Sequence, residues 1–269
     1  AAIQWNEKHG RAAQQTGPVR RGVGISAGTH VSNAAPFCVD YNTVLLRIER
    51  DGTLFVNSAI PEIGPGSTTA CLQVASDLIG VPFQNAVMKF GDTDAAAFDI
   101  GSHATRTLYT VSYVMADAAK ELRRDIFTWV GRHLDLDPGS LELDDGIITS
   151  GGKPVSTLAE MASAAHLEGK QFMASSCKVP PNCLPFYAQA AEVEVDLETG
   201  MVKVLKVAAA HDVGRAVNPR LCKGQIEGGV LQGVGYAVRE EMTYVEGKGF
   251  YNKGFHSNML PTADDRPEI

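Results

Sequence analysis

The sequence predicts an α+β fold: two domains of antiparallel hairpins and sheets with helices packed on one face. Three observations carry that prediction. Of 269 residues, 44% are hydrophobic and 20% charged, the balance of an ordinary globular chain. Short alternating runs end in glycine turns and read as hairpins, while longer stretches carry an apolar stripe of helical period. Finally, hairpin, polar or glycine-rich loop and helix follow one another in the same order twice.

In the first of these units, residues 43–50 alternate, with Val44, Leu46 and Ile48 on one face. Asp51-Gly52 supplies the turn and residues 53–56 return. After a glycine turn at 62–67, Cys71, Val74, Ala75, Leu78 and Ile79 form a helical stripe over 68–79, which Gly80 and Pro82 stop. A longer helix over 107–133 carries Leu108, Val111, Met115, Ala118, Leu122 and Ile126. A short hairpin around Asp145-Gly146 and a helix over 157–166 complete this half. The second unit has a hairpin of 192–196 and 201–207, valine on one face and charge on the other, so one face is buried and one wet. A polar loop over 211–222 leads to a helix over 223–239 with Ile226, Val230, Val234 and Ala237 along it. Residues 165–185 lack periodicity and contain Pro and Ser. The expected division is therefore a first domain over 1–165 and a second over 166–269, the latter incomplete at its C-terminus.

Composition excludes several function classes. With 24 Lys+Arg against 31 Asp+Glu, the net charge is −7, which disfavours bulk binding to nucleic acid or an anionic membrane. No run approaches the ~18 apolar residues of a membrane span. Cys38, Cys71, Cys177, Cys183 and Cys222 are odd in number and form no C-x-x-C, so reduced thiols and a cytoplasmic location are expected. The histidines include no H-x-x-x-H pair, and no protein-ligated metal is expected. The opening Ala1-Ala2-Ile3-Gln4-Trp5 resembles neither an initiator segment nor a signal peptide; it reads like the interior of a longer chain.

Four segments can carry chemistry. Glu62-Ile63-Gly64-Pro65-Gly66-Ser67-Thr68-Thr69 leaves a strand and opens a helix, where free N–H groups and the helix dipole favour an anion; taken alone, a strand-to-helix turn with Ser67 as N-cap is the simpler reading. It lacks the lysine of a P-loop and the three glycines of a dinucleotide fingerprint. Residues 99–107, Asp-Ile-Gly-Ser-His-Ala-Thr-Arg-Thr, gather hydroxyls and Arg106 before the long helix, again an anion-friendly start or a capping loop. There Asp92, Asp94 and Asp99 read as turn residues. Residues 224–235 hold five glycines in helical register, each costing about 1 kcal/mol against Ala, with the amides of Gln225 and Gln232 on that helix. Close packing or a flat polar ligand would offset that loss. In His211-Asp212, adjacent strand residues point to opposite faces, so no acid–base pair is assigned.

Taken in order, these segments resemble the large, molybdopterin-binding subunit of the xanthine dehydrogenase/aldehyde oxidase family of molybdenum hydroxylases. The resemblance lies in His211-Asp-Val-Gly-Arg-Ala-Val-Asn-Pro219, in the run from Gly224-Gln-Ile-Glu-Gly-Gly to Ala237 and in Pro261-Thr-Ala-Asp-Asp-Arg-Pro-Glu-Ile269. Residues 73–82 and Gly91-Asp-Thr-Asp94 match in the same order. The resemblance implies that Gly64, Gly66, Ser67 and Thr68 hold the pyrophosphate or pterin, that Ser102, Ala104, Thr105, Arg106 and Thr107 line the cofactor, and that Gln225 hydrogen-bonds it. It implies a molybdenum–molybdopterin cytosine dinucleotide, with 2Fe–2S clusters and FAD on partner subunits or domains, and a small-molecule substrate.

Two departures stand out. Pro65 occupies the place of a glutamine in the family's Gly-Gln-Gly, removing an N–H and an amide. The family's catalytic glutamate lies in a Gly-x-Gly-Glu segment downstream of Pro-Thr-Ala, beyond Ile269, so no catalytic residue is assigned and Glu62, Glu227 and Glu240 are not promoted. The expected function is the cofactor-binding portion, the C-terminal part of the large subunit, of an enzyme that hydroxylates an N-heteroaromatic or aldehyde with water as oxygen source. This portion is expected to be inactive alone and completed by the rest of the molybdenum subunit and by iron–sulfur and FAD subunits. The alternatives are a scaffold or assembly subunit that kept the fold without the cofactor, for which Pro65 speaks, and a phosphate-binding enzyme unrelated to molybdenum.

Overall fold

The computed structural model describes residues 3–12, 14–252 and 254–269. In chain order the elements are helix α1 (Trp5–Ala12), strands β1 (Val19–Thr29), β2 (Asn42–Ile48) and β3 (Leu54–Asn57), and helix α2 (Ser67–Ile79). Strand β4 (Ala86–Lys89), helix α3 (Thr107–Leu134), strands β5 (Leu141–Asp144), β6 (Ile147–Ser150) and β7 (Lys153–Thr157) and helix α4 (Leu158–Leu167) follow. Then come β8 (Met173–Lys178), β9 (Phe186–Asp196), β10 (Val202–His211), α5 (Pro219–Val238) and a two-stranded ribbon of β11 (Tyr244–Val245) and β12 (Gly249–Phe250). This is the α+β class the sequence predicts. No helix among the described residues is long and apolar enough to cross a membrane.

The chain forms two compact units: residues 30–184, and the residues up to Thr29 together with 185–269. The expected cut at 165/166 falls inside the first unit. Residues 173–178 are not a linker but strand β8, which pairs antiparallel with β2 from Asn42↔Lys178 to Arg47↔Met173. The first 29 residues likewise leave the first half, because β1 pairs with β9 along its whole length, from Val19↔Asp196 to Thr29↔Phe186.

In the unit 30–184 the sheet order is β4-β3-β2-β8. The β2–β3 hairpin is antiparallel as expected, whereas β3 and β4 run parallel because α2 carries the chain back between them. Strand β2 buries every second residue, with Val44 and Leu46 fully buried. Against this face α2 places Cys71, Ala75 and Ile79, and α3 places Val111, Val114, Met115, Ala118, Leu122 and Ile126. The connected apolar core lies wholly in this unit. Helix α2 stops at Gly80, φ 89°, whose N–H bonds Ser76 O, and the freed Ile79 carbonyl accepts from Arg123 Nη1 at 2.5 Å. The carbonyl of Gly80 accepts from Gly146 N at 2.8 Å, which fixes the β5–β6 turn to the helix end. A capping box of Thr157 and Glu160 starts α4.

In the other unit the sheet order is β1-β9-β10, with a bulge between Val204 and Lys206. Helix α5 buries only Val230, Val234 and Gly235. The edge of β10 carries a short parallel bridge, in which Val207 N donates to Glu268 O at 2.7 Å and Glu268 N to Leu205 O at 3.1 Å.

Candidate functional site

The glycine turn before α2 wraps a side chain of its own. Gly64 and Gly66 adopt positive φ (109° and 79°), a conformation glycine reaches without steric cost. Their N–H groups and that of Thr68 thereby converge on the Glu62 carboxylate. Oε1 accepts from Gly64 at 2.8 Å and Gly66 at 3.1 Å; Oε2 accepts from Thr68 N at 3.0 Å and Thr68 Oγ1 at 3.2 Å. Partial burial pushes the Glu62 carboxyl up, but these donors outweigh it and hold the group below the usual carboxylate range. The expected anion site is thus built, and Glu62 fills it. Beneath it, burial first and the Glu62 charge second push the Cys71 thiol up to about 12.

The start of α3 contains a second charge cluster. Arg106 is fully buried, as are Asp40 and, nearly so, Asp99, with side-chain exposures of 0%, 0% and 2%. Its Nε donates to Asp40 Oδ1 at 2.7 Å, Nη1 to Asp99 Oδ2 at 3.1 Å and Gly101 O at 2.9 Å, and Nη2 to Asn42 Oδ1 at 2.6 Å. Asn42 Nδ2 in turn donates to Asp99 Oδ2. The guanidinium is saturated by the protein, so Arg106 braces the loop and does not present its side chain to a ligand. The sequence marks the arginine, but it presents Asp99 as a turn residue and carries no signal for Asp40, 66 positions away.

Around that brace, Ala104 (φ 47°) and Thr105 (φ 53°) hold left-handed backbone, costly for a β-branched residue by about 1–3 kcal/mol. Ser102 Oγ lies 2.7 Å from Thr107 Oγ1 and 3.5 Å from Pro61 O, which brings this loop beside the strand end that leads into the α2 turn. Helix α3 begins at Arg106 without any side-chain cap. Thr105 is exposed, and no side chain caps the first N–H groups of the helix. Within the unit 30–184, then, the 102–107 loop reaches the chain just before the glycine turn, through one hydrogen bond from Ser102 to Pro61, the residue preceding Glu62.

Gln225 belongs to the other unit, on α5, where it is exposed. Asn218 caps that helix by accepting from Leu221 N at 3.1 Å, with Pro219 in its first turn. Among the described residues, a Cβ at Gly224, Gly228, Gly229 or Gly233 would meet nothing within 4 Å; at Gly235 it would strike Pro261. Four of the five glycines therefore face open space in this chain, and packing inside it accounts for one. His211 lies 3.3 Å from Gln189 Nε2 and stacks on Tyr187, while Asp212 turns away to accept from Gly214 N at 3.0 Å.

Three comparisons bear on identity. The family model described as a molybdopterin cofactor-binding domain matches residues 1–267. The xanthine dehydrogenase molybdenum-binding subunit of Escherichia coli is 30% identical over 276 residues, covering 99% of this chain and 37% of that subunit. The nicotine 6-hydroxylase large subunit of Paenarthrobacter nicotinovorans is 26% identical, covering 85% of the chain and 29% of its own length. This chain thus spans between 29% and 37% of the length of these relatives. Among solved structures, quinoline 2-oxidoreductase from Pseudomonas putida superimposes with a TM-score of 0.89 at 24% identity, over 100% of this chain and 36% of that one, and shares its fold. With a family model matched across nearly its whole length, the chain belongs to the molybdopterin cofactor-binding domains of the molybdenum hydroxylases.

Proposed function

We propose that this chain is the cofactor-holding portion of a molybdenum hydroxylase whose substrate is an N-heteroaromatic compound or an aldehyde. The observation that carries the reading is the start of α3. There a strained, hydroxyl-bearing loop is locked by a buried ion cluster while the helix N–H donors are left without a side-chain cap. That donor set fits a ligand rich in hydrogen-bond acceptors, as a pterin is. Ser102, Thr105 and Thr107 would hold it through hydroxyl and backbone donors, Ala104 through backbone, and Arg106 by fixing the loop. Gly64, exposed in the turn with open space around it, permits close approach, with Gly66, Ser67 and Thr68 following it in the chain.

When bound, the molybdenum cofactor supplies the oxidation chemistry. The chain's own contribution is to bind and orient it; no general base is assigned here. The cofactor would be the cytosine dinucleotide form, with 2Fe–2S clusters and FAD carried by partner subunits or domains. Relatives named as a molybdenum-binding subunit and a large subunit support the reading of a molybdenum enzyme assembled from several subunits.

The test is turnover in 18O-labelled water by the complex formed with its native partner polypeptides, offered a panel of N-heteroaromatics and aldehydes. The expected result is a hydroxylated or carboxylated product carrying label from water, and none from the isolated chain. Label absent from every product of an iron-loaded, intact complex favours the scaffold reading, for which Pro65 and the filled α2 turn speak.

A further inference from the structure

Two anion-friendly helix starts were legible in the sequence, and both carry an internal counter-ion. At α3 the cation is neutralised by Asp40 and Asp99; at α2 the donors themselves are occupied. The second case has a functional consequence. Four donors on two carboxylate oxygens is the arrangement that would otherwise receive a phosphate or carboxylate from outside. We infer that Glu62 is the resident anion of the 62–68 loop, a positioning residue that holds the glycine turn in shape and closes the α2 start to phosphate and pyrophosphate. The pyrophosphate of a dinucleotide would be turned away twice there: its donors are taken, and a carboxylate stands in its place.

The group's surroundings are simple. Its partners are the loop N–H groups and Thr68, and the ionisable group coupled to it is Cys71 on α2, whose buried thiol stays neutral. Where the loop faces a cofactor, this inference deepens the proposed function and rests on it. The exclusion of anions rests on the loop alone, so the two can fail separately.

The experiment uses the full chain without cofactor. Wild type, Glu62→Ala and Glu62→Gln are melted at neutral pH in chloride, acetate and inorganic phosphate of matched ionic strength. Wild type should show only the general stabilising effect of each salt, which sets the baseline for the variants. Glu62→Ala should be destabilised in chloride and regain stability in acetate and phosphate, with an anion affinity about tenfold or more above wild type. Glu62→Gln, which keeps one acceptor oxygen, should fall between them.

A second measurement needs no variant. The backbone amide resonances of Gly64, Gly66 and Thr68 should shift together as acid titrates Glu62, below the ordinary glutamate range, and should ignore phosphate at pH 7. If those amides move with phosphate at neutral pH, or if Glu62→Ala is no more responsive to anions than wild type, the inference is wrong whatever the cofactor proves to be.

Discussion

Arg106 shows how a residue can be visible in a sequence while its role is not. Its type and its place before a long helix signal an anion; its burial between Asp40 and Asp99 reverses the meaning. Removing one member of such a cluster leaves buried charges unpaired. Arg106→Ala should therefore cost about 3–5 kcal/mol in urea unfolding. Arg106→Lys should recover only part of this, because an ammonium cannot reach four acceptors held in a planar fork. A loss under 1 kcal/mol would show that the guanidinium does not brace the loop.

Glu62 adds a pH dependence whose sign is fixed. Its folded-state carboxyl lies below the usual range, so its contribution is fully present above the unfolded-state value and lost as pH falls through the folded one. The stability gap between wild type and Glu62→Gln should be constant at neutral pH and close below the ordinary carboxylate range. Cys71 offers a third check. Buried, with its thiol pushed to about 12, it should resist a thiol reagent that modifies exposed Cys38, Cys177 and Cys183, and react only on unfolding.

At the scale of elements, glycines in different settings should respond in opposite directions. Gly80 has φ 89°, and a Cβ there would run into the Leu143 carbonyl, so Gly80→Ala should destabilise by about 2–4 kcal/mol. Gly228 sits in α5 with open space around it, so Gly228→Ala should stabilise the isolated chain by about 0.5–1 kcal/mol. Thermal melts of the two variants decide this.

The same contrast explains which elements could be read in advance. Helix α3 and strand β2 announce themselves because each buries one clean face, and the period of that face is written in Leu, Ile, Val and Met. Strand β1, VRRGVGISAGT, buries no residue fully and has its partner β9 more than 150 positions away, so neither period nor neighbour signals it. Strand β8, MASSCK, is polar for the same reason: only Ser176 is buried, where its hydroxyl donates to Asp117 at 2.7 Å.

At the scale of the molecule, the apolar core is concentrated in residues 30–184, while the sheet and helix of the other unit bury little. Amides of β2 and α3 should accordingly be the last to exchange with deuterium, well after those of β9 and α5. The division of the chain escaped sequence reasoning because local composition marks loops, not which distant strand a segment pairs with. What was legible was the set of motifs and their order, since those reflect local backbone and side-chain demands.

We propose that this fold holds a molybdenum cofactor. It is tested most directly by the molybdenum content, with acid-released cytidine monophosphate, of the complex purified with its native partners. Close to one molybdenum and one nucleotide per copy of this chain is the expected result. An intact, iron-bearing complex with neither would contradict it and leave a scaffold that has kept the architecture alone.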